Sequence, residues 1–245
     1  MENLKPVWED HYTVNWYEAD PRSRASLVTI LNYLQETAWR HACHLGFGFR
    51  EGNEIKLAWV VIRHMIHIHR YPNWGEEVIA KTWPSGVDGL YALRDFEIFS
   101  LEGELLVSAS SWWLIIDMKT RKTQSPEMIE NVDSLVNMKK AIEETPPNLD
   151  VNGNFERIAM HTVNYTELDM YRHVNNSRYA EWLLNALPLE WHKTHSIREF
   201  VIEYLHECKL KDEITIEANF STPDQFNFRG IRSKDDKMVF RVRIS

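Results

Sequence analysis

The chain has 245 residues, 44% of them hydrophobic, and a formal net charge of −8. That is enough apolar material for a sizeable core, and too acidic a balance for general nucleic-acid binding, which needs a broad excess of Lys and Arg. Cys43 and Cys208 are the 2 cysteines, too few for a disulfide framework or a zinc ribbon, and the opening Met1 to Trp8 has neither an apolar signal core nor an Arg/Ser-rich transit composition; no apolar run is long enough to span a membrane, so the cytoplasm is the expected location.

In chain order, a short strand is expected around Tyr12 to Tyr17, followed by a long helix from Ser26. Leu27, Ile30, Leu31, Leu34, Ala38 and Leu45 form its apolar stripe, and Gly46 is the expected stop. Strands follow over Trp59 to Tyr71, Glu77 to Trp83, Tyr91 to Phe99 and Leu105 to Ile116, the last two joined by a turn at Glu102-Gly103-Glu104. Ser125-Pro126-Glu127 has the form of an N-cap with proline at the first helical position. It opens a mostly polar stretch ending in Thr145-Pro146-Pro147-Asn148. This stretch is read as a helical linker over 126–150, between repeats at 1–125 and 151–245.

The second half repeats the order of the first. A strand near Arg157 to Tyr165 leads to a polar turn and a helix, then to strands Ile197 to Cys208, Glu213 to Phe220, Phe226 to Ile231 and Met238 to Ile244. Tyr17-Glu18-Ala19-Asp20 corresponds to Tyr165 through Asp169, and Ile66 to Val78 corresponds to Ile202 to Ile214. Each half is therefore an α+β unit. Opposite His173 the first half offers Arg24, and opposite Glu207 it offers Tyr71, so only the second copy carries an acid and an imidazole in these places. The first copy reads as a binding scaffold. Trp39, Trp59, Trp83, Trp112 and Trp113 are candidates to line a tunnel for an apolar chain, with ordinary core packing as the plainer role.

The densest chemistry lies in Asp169-Met170-Tyr171-Arg172-His173-Val174-Asn175-Asn176-Ser177-Arg178-Tyr179. Asn175 and Asn176 are N-cap candidates for the helix carrying Tyr179, Leu183, Ala186 and Leu187, which places His173 just ahead of exposed backbone N–H groups. Each of these residues also has a plain structural role open to it: Asp169 as a turn cap, Glu207 as a solvated strand residue. His67 and His69 alternate on one strand face without a carboxylate or cysteine pattern around them, so no metal is expected. No Gly-x-Ser-x-Gly elbow, Gly-x-Gly-x-x-Gly turn or P-loop is present.

The run from Asp169 to Tyr179, the helix ending Ala186-Leu187-Pro188-Leu189-Glu190, and Ile202-Glu203-Tyr204-Leu205-His206-Glu207-Cys208 followed by Asp212 resemble the acyl-acyl-carrier-protein thioesterases of plant plastids and bacteria. Arg94-Asp95-Phe96, Ser110-Ser111-Trp112 and Ile116-Asp117 are similar to that family's first repeat, so the resemblance covers nearly the whole chain. It implies a tandem double hotdog, each repeat a long helix wrapped by an antiparallel sheet. It also implies release of fatty acids by thioester hydrolysis without a cofactor, and an acyl carrier protein as partner. In the absence of a transit peptide the chain looks like a bacterial member; a homodimer is left open.

Carried over residue by residue, the family's catalytic aspartate, histidine and glutamate match Asp169, His173 and Glu207, while its asparagine is Tyr171 here. A phenol can donate one hydrogen bond and accept others, so Tyr171 is expected to take over part of that catalytic role; it lacks the paired donors of an amide, so backbone N–H groups near Val174 to Asn176 are expected to carry more of the oxyanion stabilisation. Glu207 is the expected general base, with His173 orienting water or thioester and Asp169 fixing the turn or the histidine. Cys208 as nucleophile ranks lower, because a neighbour of Glu207 in a strand projects to the opposite face. Two basic clusters are candidates for docking an acidic carrier: Lys119, Arg121 and Lys122, and a C-terminal group centred on Arg232, Lys234 and Lys237 with Arg229, Arg241 and Arg243 beside it. The alternatives are hydrolysis of acyl-CoA or another small thioester, and a non-catalytic acyl-thioester sensor.

Overall fold

The computed structural model describes residues 4–46, 57–128, 136–137, 139–147, 149, 153–222 and 225–245. The chain divides into two compact units, Met1–Glu144 and Thr145–Ser245, the division falling ahead of residue 150. Of the linker read as helical, residues 129–135, 138, 148 and 150 lie outside the described residues, and 136–137, 139–147 and 149 are not helical. Its start is a single 3₁₀ turn, Pro126–Met128, in which Ser125 Oγ accepts the Glu127 N–H at 3.3 Å.

In the first unit, β1 (Trp8–Thr13), β2 (Leu57–Ile68), β3 (Glu77–Asp88), β4 (Tyr91–Ser100) and β5 (Leu105–Asp117) form an antiparallel sheet in the order β1-β3-β4-β5-β2, with β6 (Thr123–Gln124) on β5. The first strand starts and ends earlier than its pattern predicts, because Asn15 and Glu18 close a capping box around a 3₁₀ turn at Trp16–Glu18. Helix α1 (Leu27–His44) begins where expected: the Ser26 side chain accepts the Thr29 N–H, and Gly46 at φ +86° leaves the helix in the left-handed conformation glycine tolerates. Its Leu27, Ile30, Leu31, Leu34 and Ala38 are all buried and the helix packs on β3. Burial of five such side chains contributes on the order of 1.5–3 kcal/mol for each large one.

In the second unit, β7 (Glu156–Thr162), β8 (Glu199–Tyr204), β9 (Glu213–Thr222), β10 (Gln225–Arg232) and β11 (Lys237–Ile244) pair antiparallel in the order β8-β11-β10-β9-β7. Helix α2 (Asn176–Ala186) buries Tyr179, Ala180, Trp182 and Leu183, with the Tyr179 ring edge-on to Phe240 at 5.4 Å. A Cβ at Gly230 would stand 2.1 Å from the Phe240 ring, so glycine in β10 is what admits that aromatic into the core. Pro188 then starts a short α3 (Leu189–Thr194). Each unit is α+β, a helix laid on an antiparallel sheet.

Candidate active site

The same local frame is built in both units. In each, an Asn-x-x-Glu turn ends on a buried or part-buried glutamate whose carbonyl caps the entry to the helix: Ser26 N–H donates to Glu18 O at 3.0 Å, and Asn175 N–H to Glu167 O at 2.9 Å. The glutamate side chain then reaches back to the helix, taking Tyr33 Oη–H at 3.0 Å in the first unit and Trp182 Nε1–H at 2.7 Å in the second. Burial works to raise the Glu167 carboxyl, but the Asn164 N–H, Trp182 and His161 outweigh it and hold the group below its ordinary value. The aspartate that follows is used identically. Asp20 Oδ1 accepts Arg22 and Arg24 N–H at 2.8 and 3.4 Å, and Asp169 Oδ1 accepts Tyr171 and His173 N–H at 2.8 and 3.2 Å. Ser23 and Arg172 take matching left-handed backbone conformations, φ +57° and +64°, a strain that the surrounding ties must hold in place. By these contacts Tyr17 matches Thr166, and Tyr165 matches Trp16, one residue away from the register read from sequence.

What the frame presents differs. In the first unit the Arg24 guanidinium pairs with Asp20 at 3.0 Å and lies over the Tyr71 ring at 3.9 Å. In the second, His173 Nε2 meets Glu207 Oε2 at 3.2 Å, with side-chain exposures of 24% and 39%; both groups are reachable from solvent and neither is swamped by it. Asp169 binds backbone, so of its two expected roles it takes the turn.

Glu207 and Cys208 are not in a strand, contrary to the pattern. β8 ends at Tyr204 because Leu205 and His206 N–H both turn to the carbonyl of Val239, at 2.9 and 3.2 Å, which breaks the ladder. The two side chains nevertheless part: Cys208 is fully buried and burial pushes its thiol up to about 11. A nucleophilic cysteine needs the opposite shift.

The expected oxyanion donors are mostly spent. Val174 N–H donates to Cys208 O at 3.0 Å and Asn175 N–H to Glu167 O, while Asn175 Oδ1 accepts Ser177 N–H at 3.0 Å as the N-cap of α2. Among the described residues the Asn176 N–H, in the first turn of α2, has no partner. Tyr171 is 42% exposed, its phenol accepts and donates no hydrogen bond among the described residues, and burial with the nearby Asp169 charge raises its pKa.

Three other expectations need correction. Trp39 is 44% exposed on α1, so it does not line an interior tunnel. Trp83 is 1% exposed and donates Nε1–H to Lys139 O at 2.7 Å, a core role; Trp59 and Trp113 are partly buried on β2 and β5. Arg232 is 9% exposed and is not a docking surface. Lys234 pairs with Asp212 at 2.5 Å, Lys237 approaches Asp235 at 4.0 Å, and Arg229, Arg241 and Arg243 pair with Glu217, Glu203 and Glu199, so the C-terminal cluster is neutralised residue by residue. Lys119, Arg121 and Lys122 remain exposed. Sequence reading missed the Glu18 and Glu167 clamps, although the repeated Asn-x-x-Glu at Asn15 and Asn164 was a signal for them. Among the described residues, no helix is long and apolar enough to cross a membrane, and no group of three His, Cys, Asp or Glu is placed to hold a metal.

Comparison with known proteins agrees with this division. The acyl-ACP thioesterase N-terminal domain matches residues 5–132, and the acyl-ACP thioesterase C-terminal domain matches residues 153–245. The chloroplastic acyl-[acyl-carrier-protein] hydrolase FATB2 of Cuphea viscosissima is 33% identical over 217 residues, 82% of this chain and 52% of the relative. The chloroplastic palmitoyl-acyl carrier protein thioesterase of Arabidopsis thaliana is 31% identical over 220 residues, with the same coverage of 82% and 52%. The chain thus spans about half the length of the curated relatives it matches. The crystal structure of an acyl-ACP thioesterase from Bacteroides thetaiotaomicron superposes with a TM-score of 0.88 at 26% identity, covering 100% of this chain and 99% of that one.

Proposed function

This chain belongs to the acyl-ACP thioesterase family, and from that premise we propose that it hydrolyses the thioester of fatty acyl-acyl carrier protein, releasing free fatty acid and the carrier's thiol. The observation that carries the reading is the His173–Glu207 pair, 3.2 Å apart, at the position where the otherwise matching first unit holds Arg24 over Tyr71.

A thioester is already an activated acyl donor, so the reaction needs a positioned water, a base and an oxyanion site. Glu207 takes a proton from the water as its oxygen bonds to the thioester carbonyl carbon. The developing oxyanion is received by the Asn176 N–H, where the positive end of the α2 dipole adds its share. Collapse of the tetrahedral intermediate breaks the C–S bond, and the proton held by Glu207 passes through the imidazole of His173 to the leaving thiolate. Asp169 holds the turn that sets His173, and Asn175 caps the helix that supplies the donor. The first unit serves as the acyl-chain scaffold, with Trp59 and Trp113 as apolar lining, and its exposed turn at Lys119, Arg121 and Lys122 meets the acidic carrier.

A second reading, a binding protein without turnover, is favoured by Tyr171 alone, since no side-chain amide stands where the family has one. Purified protein incubated with acyl-carrier and acyl-CoA substrates, with free thiol followed over time, separates the readings. Thiol release from the carrier substrate supports the proposal. Release from acyl-CoA only reassigns the substrate, and saturable binding without release identifies a sensor.

A further inference from the structure

Glu207 sits in a loop rather than a strand, so the sheet ladder does not fix it. Its own backbone carbonyl accepts a hydrogen bond from Arg232 Nη1 at 2.6 Å. That guanidinium is locked from its other edge by Asp235, with Nε to Oδ1 at 2.8 Å and Nη2 to Oδ2 at 2.7 Å, and it lies 3.6 Å from Asp212. Asp212 in turn takes Lys209 N–H at 3.0 Å, closing the same loop. A bidentate arginine fork of this kind fixes orientation as well as charge.

The first unit contains the same device assembled from a different residue. Tyr71, which stands in the place of Glu207, has its carbonyl held by Arg70 Nη1 at 3.3 Å. Arg70 is locked by Glu76, in the place of Asp212, at 2.9 and 2.7 Å, and by Glu104 in the β4–β5 turn at 3.0 and 2.8 Å. The second unit supplies the corresponding acid, Asp235, from its β10–β11 turn. Arg70 comes from the end of β2 whereas Arg232 comes from the end of β10, so the two are not equivalent positions in the repeat. An arginine held between two loop acids has been placed twice on the same carbonyl.

We infer that Arg232, held by Asp235 and Asp212, is a positioning residue for the Glu207 carboxylate, setting its distance to His173 through the Glu207 main chain. The inference rests on the proposed hydrolase reading for its consequence in turnover, but not for its geometry. Loosening the clamp frees the loop to carry Glu207 away from the imidazole, and a displacement of about 1 Å at a base costs up to roughly a hundredfold in rate.

The test compares Arg232→Met and Arg232→Lys with Arg70→Met. The Arg70 variant removes the same kind of contact in the unit without the acid and imidazole. Expected results are a fall in kcat of about 10- to 100-fold for Arg232→Met with KM little changed, partial recovery in Arg232→Lys, and kcat within about twofold of wild type for Arg70→Met, although both Met variants melt earlier. Asp235→Asn, on an exposed turn, supplies a milder loosening should Arg232→Met fail to fold, with the same direction expected. The imidazole resonances of His173, identified by their loss in His173→Gln, read the contact with Glu207 independently of any substrate. In Arg232→Met they should move toward those of Glu207→Gln, and in Arg70→Met they should stay. Unchanged His173 resonances in the Arg232 and Asp235 variants, or an equal loss of kcat in Arg70→Met, would overturn the inference. Absence of thioester hydrolysis in wild-type protein would instead defeat the hydrolase reading and leave the resonances to decide this one.

Discussion

The two units share a turn, a glutamate clamp, an aspartate that caps two backbone N–H groups and a left-handed residue at the same place, yet one ends in a cation over a phenol ring and the other in a carboxylate against an imidazole. The frame is common to both units, and the proposed chemistry is two side chains set into one of them. Arg24 over Tyr71 is self-satisfied, with its charge matched by Asp20 and its plane by the ring. His173 and Glu207 can exchange a proton and remain partly open to solvent, which a base needs and a buried strut does not.

The comparison breaks first at Glu207. Glu207→Gln should lower kcat for thioester hydrolysis by about 10²–10⁴ with the melting temperature preserved, while Tyr71→Phe should leave turnover untouched. Cys208→Ala should cost stability rather than rate, because the thiol is buried and protonated. Wild-type turnover in Glu207→Gln, or an acyl-cysteine trapped on Cys208, would reverse that assignment.

Acid should distinguish the units next. His41 and His64 are buried in the first unit and held down to about 4, His41 by burial and then by Arg94, His64 by burial. His41 Nδ1 faces Arg94 Nη1 at 3.0 Å while its Nε2 faces Lys5 O at 2.9 Å, so the neutral ring donates to the carbonyl and accepts from the guanidinium. In the unfolded chain these rings take up a proton near 6.5. Their contribution to stability is therefore complete above that pH and is lost as pH falls from 6.5 to 4, by about 3 kcal/mol each. Segment-resolved hydrogen exchange across this range should show the first unit opening before the second, and His41→Gln should flatten the dependence. A first unit as protected at pH 4.5 as at pH 7 would contradict this.

A smaller effect separates the two aspartates. Asp20→Ala and Asp169→Ala each remove two backbone caps, with an expected loss of about 1–2 kcal/mol in stability measured by denaturant titration. Only Asp169→Ala should also lower kcat, since only its turn carries His173; parallel losses of rate would mean that the first unit contributes to the chemistry.

The smallest effect concerns the surfaces. Reversing charge at Lys119 and Lys122 in the first unit should raise KM for a carrier-bound substrate severalfold and weaken its salt dependence, with little change for acyl-CoA. The same reversal at Lys234 and Lys237 should be felt mainly as stability, through the loss of Asp212 and Asp235 pairing.

Much of this was present in the sequence. The 3.6-residue spacing from Leu27 to Ala38, the Ser26 cap and Gly46 determine α1, because apolar periodicity and cap chemistry are local. Element order revealed the repeat, and the contrast of Arg24 and Tyr71 with His173 and Glu207 followed from it. Tertiary structure decided what local rules cannot see. Which backbone donors near Asn176 stay unspent depends on the carbonyl of Glu167, across the turn, and on that of Cys208, far along the chain. Whether Arg232 is a surface charge or a buried clamp depends on Asp235 and on the Glu207 carbonyl, which the pairing of β11 with both β10 and β8 brings to it. Likewise the exposure of Trp39 follows from which face of α1 meets β3. Local pattern was enough for the order of the elements and for the candidate side chains His173 and Glu207, whereas which polar groups stay unpaired was settled by the fold, because a hydrogen bond is assigned by proximity in space and each donor can be spent only once.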